Sequence, residues 1–167
     1  MALESITMVN QKRDGSLKCR ACADGRKQRD YIPREDAASP TTVHLDSIFI
    51  ASVIDAAEHR DTAVVDLPGE FLSADNPDLV HMVFRGKMAE LMGMTDPKTY
   101  QKFITYDSKG QALLYVELTK MLYGMLKSAL LFYLKLWRDL RRRGFVRIDY
   151  DPCVTNKMVN GNQMTVI

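Results

Sequence analysis

The sequence is short of cysteine, with three in 167 residues. A secreted scaffold held by disulfides needs a denser, paired framework, so that class is excluded. Cys19-Arg20-Ala21-Cys22 has CxxC spacing. A structural zinc site nevertheless needs four ligands, and no second CxxC or histidine pair accompanies it. His44, His59 and His81 stand singly, and Cys153 is remote in sequence. If Cys19 and Cys22 share a strand, their side chains point to opposite faces, which argues against a zinc or redox pair. Long apolar runs are also lacking: the longest, Ala129 to Leu134, is broken by Lys135 and is far too short to span a bilayer. The opening MALESITMVNQKR contains no apolar leader core. Charge of one sign is nearly absent as well. A net charge of +2 and an isoelectric point near 8.4 neither require nor exclude a nucleic-acid partner. These absences imply a soluble intracellular globular chain with no membrane partner, and they do not choose between cytoplasm and nucleus.

What is present is a hydrophobic share of 46%, enough for one domain with a real core. The charge is unevenly placed. Lys12, Arg13, Lys18, Arg20, Arg26, Lys27 and Arg29 face only Asp14 and Asp24 across the same stretch, and Arg138, Arg141, Arg142 and Arg143 form a second basic cluster. Leu3 to Val9 and Leu17 to Cys22 flank an Asp14-Gly15 reversal, which predicts a basic β-hairpin. Gly25 to Ser39 is polar and contains Pro33, so it is expected to be an extended connector. From Leu45 the residues Ile48, Phe49, Ser52, Val53 and Ala56 recur at helical spacing.

Thr62 to Leu67 is a β-branched run closed by Pro68-Gly69, which predicts a buried strand entering a turn. Leu79 to Phe84 reads as another strand and Lys87 to Met92 as a short helix. Lys102 to Tyr106 and Ala112 to Leu118 read as a hairpin across Asp107 to Gly110. The clearest helix runs from about Met125 to Arg143, with a stripe of Leu126, Ala129, Leu130, Tyr133, Leu136, Trp137 and Leu140, and Gly144 closes it. Phe145 to Ile148 and Cys153 to Val159 are strands, and Asn160-Gly161 turns the latter back into Gln163 to Ile167. The order is mixed α+β, a sheet with helices packed on it.

Two features carry chemistry. Asp66 lies where a strand is expected to end, a place where metal-binding carboxylates of polymerases sit. Its local spacing alone better suits a side chain bonded to the Pro68-Gly69 turn. The basic hairpin is either a solvated face or a phosphate-holding ribbon.

Taken in order, several segments resemble the reverse transcriptase domain of copia-type long-terminal-repeat retrotransposons, from about Gln11 to Ile167. Lys18-Cys19-Arg20-Ala21-Cys22-Ala23-Asp24-Gly25-Arg26-Lys27-Gln28 resembles that family's fingers motif, and Ser39-Pro40-Thr41-Thr42 its Ser-Pro-Val-Val. Val65-Asp66-Leu67 with Phe71-Leu72 resembles its Met-Asp-Val block. Met121-Leu122-Tyr123-Gly124-Met125-Leu126-Lys127 is similar to its Ser-Leu-Tyr-Gly-Leu-Lys. Gly144-Phe145 and Asp151-Pro152-Cys153 fit its Gly-Phe and Asp-Pro-Cys steps.

The resemblance implies a fingers and partial palm fold, about residues 1–60 fingers-like and 61–167 palm-like but interleaved. It implies an antiparallel sheet packed on helices that stops before the catalytic Asp-Asp hairpin turn. The implied activity is RNA-directed DNA synthesis, with template-primer and deoxynucleoside triphosphate as partners and Mg²⁺ as cofactor of the intact domain. On the same resemblance, Asp66 is the catalytic metal ligand with the Leu67 carbonyl beside it, and Phe71 is the steric gate. Lys18 and Arg20 hold the triphosphate, Tyr123 and Gly124 line the nucleotide pocket, and Lys12, Arg13, Arg26 and Lys27 contact nucleic acid. The departures matter equally. No Asp-Asp pair occurs in the chain, Glu70 stands where a small alanine is usual, Asp24 replaces a basic residue, and the thumb and RNase H portions of the polyprotein are missing. One carboxylate does not supply a two-metal centre, so the chain by itself is expected to be inactive. The competing expectations are a non-catalytic nucleic-acid-binding module and an unstable relic.

Overall fold

The computed structural model describes residues 2–37 and 42–167. Ser39-Pro40-Thr41, part of one family-like block, lies outside the described residues. The chain opens with the expected ribbon. Strands β1 (Ala2–Gln11) and β2 (Leu17–Ala23) pair antiparallel, with Asn10 opposite Lys18 and Thr7 opposite Ala21. The reversal follows from Asp14-Gly15: Gly15 adopts φ +82°, and the Asp14 carboxylate accepts from the Ser16 N–H and hydroxyl.

β1 has a second neighbour, β3 (His81–Arg85), which runs parallel to it. Antiparallel to β3 lies β5 (Ala112–Glu117), and β4 (Thr105–Tyr106) closes the far edge, giving the order β2-β1-β3-β5-β4. The molecule is therefore mixed α/β, and its main sheet is mixed rather than wholly antiparallel. The long excursion between β2 and β3 lets the chain re-enter the sheet in the direction of β1. Because residues before and after position 60 contribute strands to one sheet, the two portions fold together.

Side-chain alternation places the core. Leu3, Met82 and Val116 form one cross-strand row, Phe84 and Leu114 form the next, and Ala112 lies on the same face. Helix α3 (Lys87–Thr95) contributes fully buried Ala89, and Met88 and Met92 pack around it. Helix α5 (Ser128–Arg142) is one turn shorter at its start than its apolar stripe suggests. It ends at Gly144, φ +86°, where the N–H groups of Gly144 and Phe145 donate to the carbonyls of Arg141 and Leu140. A second sheet, β6 (Val146–Arg147), β7 (Thr155–Val159) and β8 (Asn162–Val166), faces α5. Asn160 and Gly161 at φ +51° and +83° make the expected tight turn between β7 and β8.

Three expectations need correction. Gly25 to Ser39 is not an extended connector: it holds a 3-10 turn, Gly25–Asp30, and a short helix α1, Arg34–Ala37. The Asp24 side chain caps that turn by accepting from the Arg26 N–H, and this local bond overrides the polar, proline-containing composition. Lys102 to Tyr106 is a strand only at Thr105–Tyr106, preceded by helix α4 (Pro97–Tyr100) and a 3-10 turn, Gln101–Phe103. Thr62 to Leu67 is neither a strand nor buried: the segment is irregular, and Val64 is fully exposed. Its β-branched residues suit a strand, but a strand exists only against a partner ladder, and no described strand lies beside it.

Helix α2 (Leu45–Ala57) forms where expected, yet Ser47 is its one buried residue, while Phe49 and Val53 are about two-thirds exposed. Spacing alone marks a helix and not what covers it. The anchor of α2 is its N-terminus. The fully buried Asp151 carboxylate accepts from the Ser47 hydroxyl at 2.7 Å and the His44 N–H at 2.8 Å through Oδ2, and from the Cys153 N–H at 2.9 Å through Oδ1. No helix among the described residues is long and apolar enough to cross a membrane.

Candidate functional site

The site is built around Tyr123, in the segment between β5 and α5. This segment is locked to the end of the ribbon by backbone-to-backbone contact. The Ala23 N–H donates to the Tyr123 carbonyl at 2.8 Å, and buried Gln28 accepts the Leu126 N–H at 3.0 Å through Oε1. Gly124, φ +92°, lies directly on the Ala23 carbonyl, and Gly25 lies on the carbonyl of Gly124. Any Cβ at either glycine would overlap those oxygens. Gly124, expected to line a nucleotide pocket, is thus first a docking residue. Gln28, visible in the sequence only as one member of a motif, is the side chain that holds the two segments in register.

Phe71 opens a 3-10 turn, Phe71–Ser73, and is half-buried. Its ring lies 4.6 Å from that of Tyr123 and 6.2 Å from that of Phe132 on α5. The Tyr123 hydroxyl donates to Glu70 Oε1 at 2.6 Å. That bond, with burial and the Glu70 charge, pushes the Tyr123 hydroxyl above the usual tyrosine range, while Arg20 acts on it in the opposite sense and Asp66 in the same sense. Glu70, read in the sequence as an intrusive charge, therefore has a specific partner.

Among the residues singled out by sequence, Phe71, Tyr123 and Gly124 share this neighbourhood, and the charges of Arg20 and Asp66 act on the Tyr123 hydroxyl. Lys18 stands exposed on β2 on the same face of the strand as Arg20. Leu67 is exposed beside Asp66 on the irregular segment. The structure does not bring Lys12 and Arg13 to Tyr123: they sit at the hairpin tip, about 20 Å of ribbon away at strand rise. Arg26 is exposed but paired with Asp24 at 2.7 Å, and this bond holds the Asp24 carboxyl down at about 2. Lys27 remains an exposed cation of the ribbon's base. Cys19 and Cys22 are exposed and partly exposed, respectively, on β2.

Among the described residues, no three histidine, cysteine, aspartate or glutamate side chains lie close enough to hold a metal ion. The nearby Glu70 is engaged by Tyr123. The described residues do not supply the set of carboxylates that a two-magnesium centre needs. What the arrangement offers is cationic side chains along one ribbon leading to a tilted aromatic pair, a combination that attracts phosphates and can stack a base. Comparison with protein-family models, with curated proteins and with solved structures finds no match to this chain.

Proposed function

We propose that the chain is a fragment of a copia-type reverse transcriptase, its fingers and part of its palm, which binds nucleic acid through the β1–β2 ribbon and does not polymerise by itself. The observation that carries this reading is the convergence of Arg20, Asp66, Phe71 and Tyr123. They come from three separate family-like blocks: the Phe71 ring packs on that of Tyr123, and the charges of Arg20 and Asp66 act on the Tyr123 hydroxyl.

The test has two arms. In primer extension with Mg²⁺ and deoxynucleoside triphosphates, no product is expected. Product that disappears in Asp66→Asn would overturn the inactive reading. In a salt titration of single-stranded RNA binding, affinity is expected to fall steeply with salt. Replacing both Lys18 and Arg20 by alanine should flatten the log–log slope by roughly 0.7 for each phosphate that is no longer neutralised. An unchanged slope in that double variant would remove the ribbon from the proposal.

A second reading, an incompletely folded relic, is favoured by the open apolar face of α2 and the unpaired Thr62–Leu67 run. It is distinguished by circular dichroism: retained far-UV signal with no near-UV signal, together with dye binding, supports the relic.

A further inference from the structure

Helix α2 is turned inside out relative to its composition. Ser47, Ala51 and Asp55, each four residues from the next, form its inward stripe. The Ser47 hydroxyl donates to Asp151 at 2.7 Å, and Asp55 lies 3.7 Å from Arg60. The opposite stripe is Leu45, Phe49 and Val53, which are 70%, 65% and 68% exposed, with Ile50 beside it at 55%. Exposed Ala56 and Ala57 continue that side to the end of the helix. Ser52 adds little polarity, because its hydroxyl donates back to the Ile48 carbonyl. Between Asp46 and Glu58 the outward side carries no charge. A helix that turns its apolar side away from its own fold marks a surface for another chain.

Two properties of this face select a second copy as its cover. The first is area. Each copy offers about 500 Å² of mostly apolar surface, so two copies in contact bury about 1,000 Å², the least that a specific interface needs. The second is shape. The bulky Leu45 and Phe49 stand in the first half of the face, and the smaller Val53, Ala56 and Ala57 in the second. In an antiparallel pair the wide half of each helix meets the narrow half of the other, and the helix dipoles oppose. A parallel pair would set Phe49 against Phe49 and hold the alanines apart.

We propose that the chain forms a two-fold symmetric dimer through antiparallel α2 helices, Phe49 of each copy packed against Val53 of the other. The inference rests on α2 alone and is independent of the nucleic-acid reading.

Sedimentation equilibrium of the full chain tests it, on protein treated with nuclease and kept reduced because Cys19 is exposed. From about 1 to about 300 μM, where an interface of this size dissociates, the average mass should rise from 19.0 kDa and level at twice that value. Phe49→Glu and Val53→Lys should each weaken the dimer by about thirtyfold or more, as loss of a central anchor does. Both positions are mostly exposed in the single chain, so near-UV dichroism and the thermal midpoint at low concentration should stay at the parent values. Mixing the two variants should restore a dimer. The new carboxylate then faces the new ammonium, while the remaining Phe49 meets the remaining Val53. A parent chain that keeps the mass of one copy throughout would overturn the proposal and leave the face to a different partner. So would a mass that climbs past the dimer without levelling, a dimer that persists in both variants, or a mixture that associates no better than either variant alone.

Discussion

Replacing Gly124 by alanine is expected to destabilise the chain by about 3–5 kcal/mol. Two independent costs add. Gly124 sits at φ +92°, where an L side chain is strained, and the new Cβ would overlap the Ala23 carbonyl oxygen. The neighbour is backbone of β2, so it cannot swing aside as the tip of a long side chain would. Relief requires parting the Tyr123 segment from the ribbon, which breaks the Ala23 to Tyr123 hydrogen bond and pulls Leu126 away from Gln28. For a chain of this size the loss corresponds to a fall of roughly 10 °C in melting temperature. Thermal unfolding followed by circular dichroism measures it. A Gly124→Ala variant that melts within about 2 °C of the parent, against that expected shift, would mean that the docking of these segments is not as described. Gly15 is the internal control: it also has positive φ, +82°, but nothing lies near its Cβ position, so Gly15→Ala should cost only the backbone strain of about 1–2 kcal/mol.

The second large effect is expected at Asp151. Its carboxylate is fully buried and serves Ser47, His44 and Cys153 at once. Asp151→Ala would strand those donors and release the N-terminus of α2, at a cost of about 3–5 kcal/mol. Because so little else of α2 is buried, the helix itself should detach, a change visible as faster hydrogen exchange across residues 45–57. Burial alone would push the Asp151 carboxyl up. The bonds from Ser47, Cys153 and His44, with the His44 ring, outweigh burial and leave it below the ordinary aspartate value. A folded value lowered in this way stabilises fully above the unfolded value of about 3.9, and the contribution fades as the pH falls through the folded value. Denaturant melts should thus show a loss of stability below about pH 4. The loss should be shallower in Asp151→Asn, though not absent, since Asp24 titrates with its own lowered value of about 2. An acid limb identical in the parent and Asp151→Asn would contradict this assignment.

Local chemistry that acts over a few residues was legible in the sequence. Asp14-Gly15 and Asn160-Gly161 dictated their turns, Gly144 ended α5, and the stripe on α5 does face Phe71 and the second sheet. What depends on a distant partner was not. The β-branched run at Thr62–Leu67 has strand propensity but no neighbouring strand, so Asp66 emerges on an exposed irregular segment. The parallel pairing of β1 with β3 has no local signal at all, because register across a long excursion is set by the cross-strand row of Leu3, Met82 and Val116. The roles of Gln28 and Asp151 were hidden for a related reason. A polar residue in sequence does not disclose whether it will be buried, and burial is what turns each of these side chains from a surface group into a strut.

The proposal's central claim is that the β1–β2 ribbon and the Tyr123 loop form one nucleic-acid-binding face. The most direct measurement is photo-crosslinking of a 4-thiouridine-bearing template annealed to a primer, with the attached peptides mapped by mass spectrometry. The proposal predicts crosslinks along β2 and at the Phe71 and Tyr123 segments, diminished when Lys18 and Arg20 are both alanine. Crosslinks confined to the other basic cluster, Arg138 to Arg143, or none above that of an unrelated protein of similar charge, would contradict it.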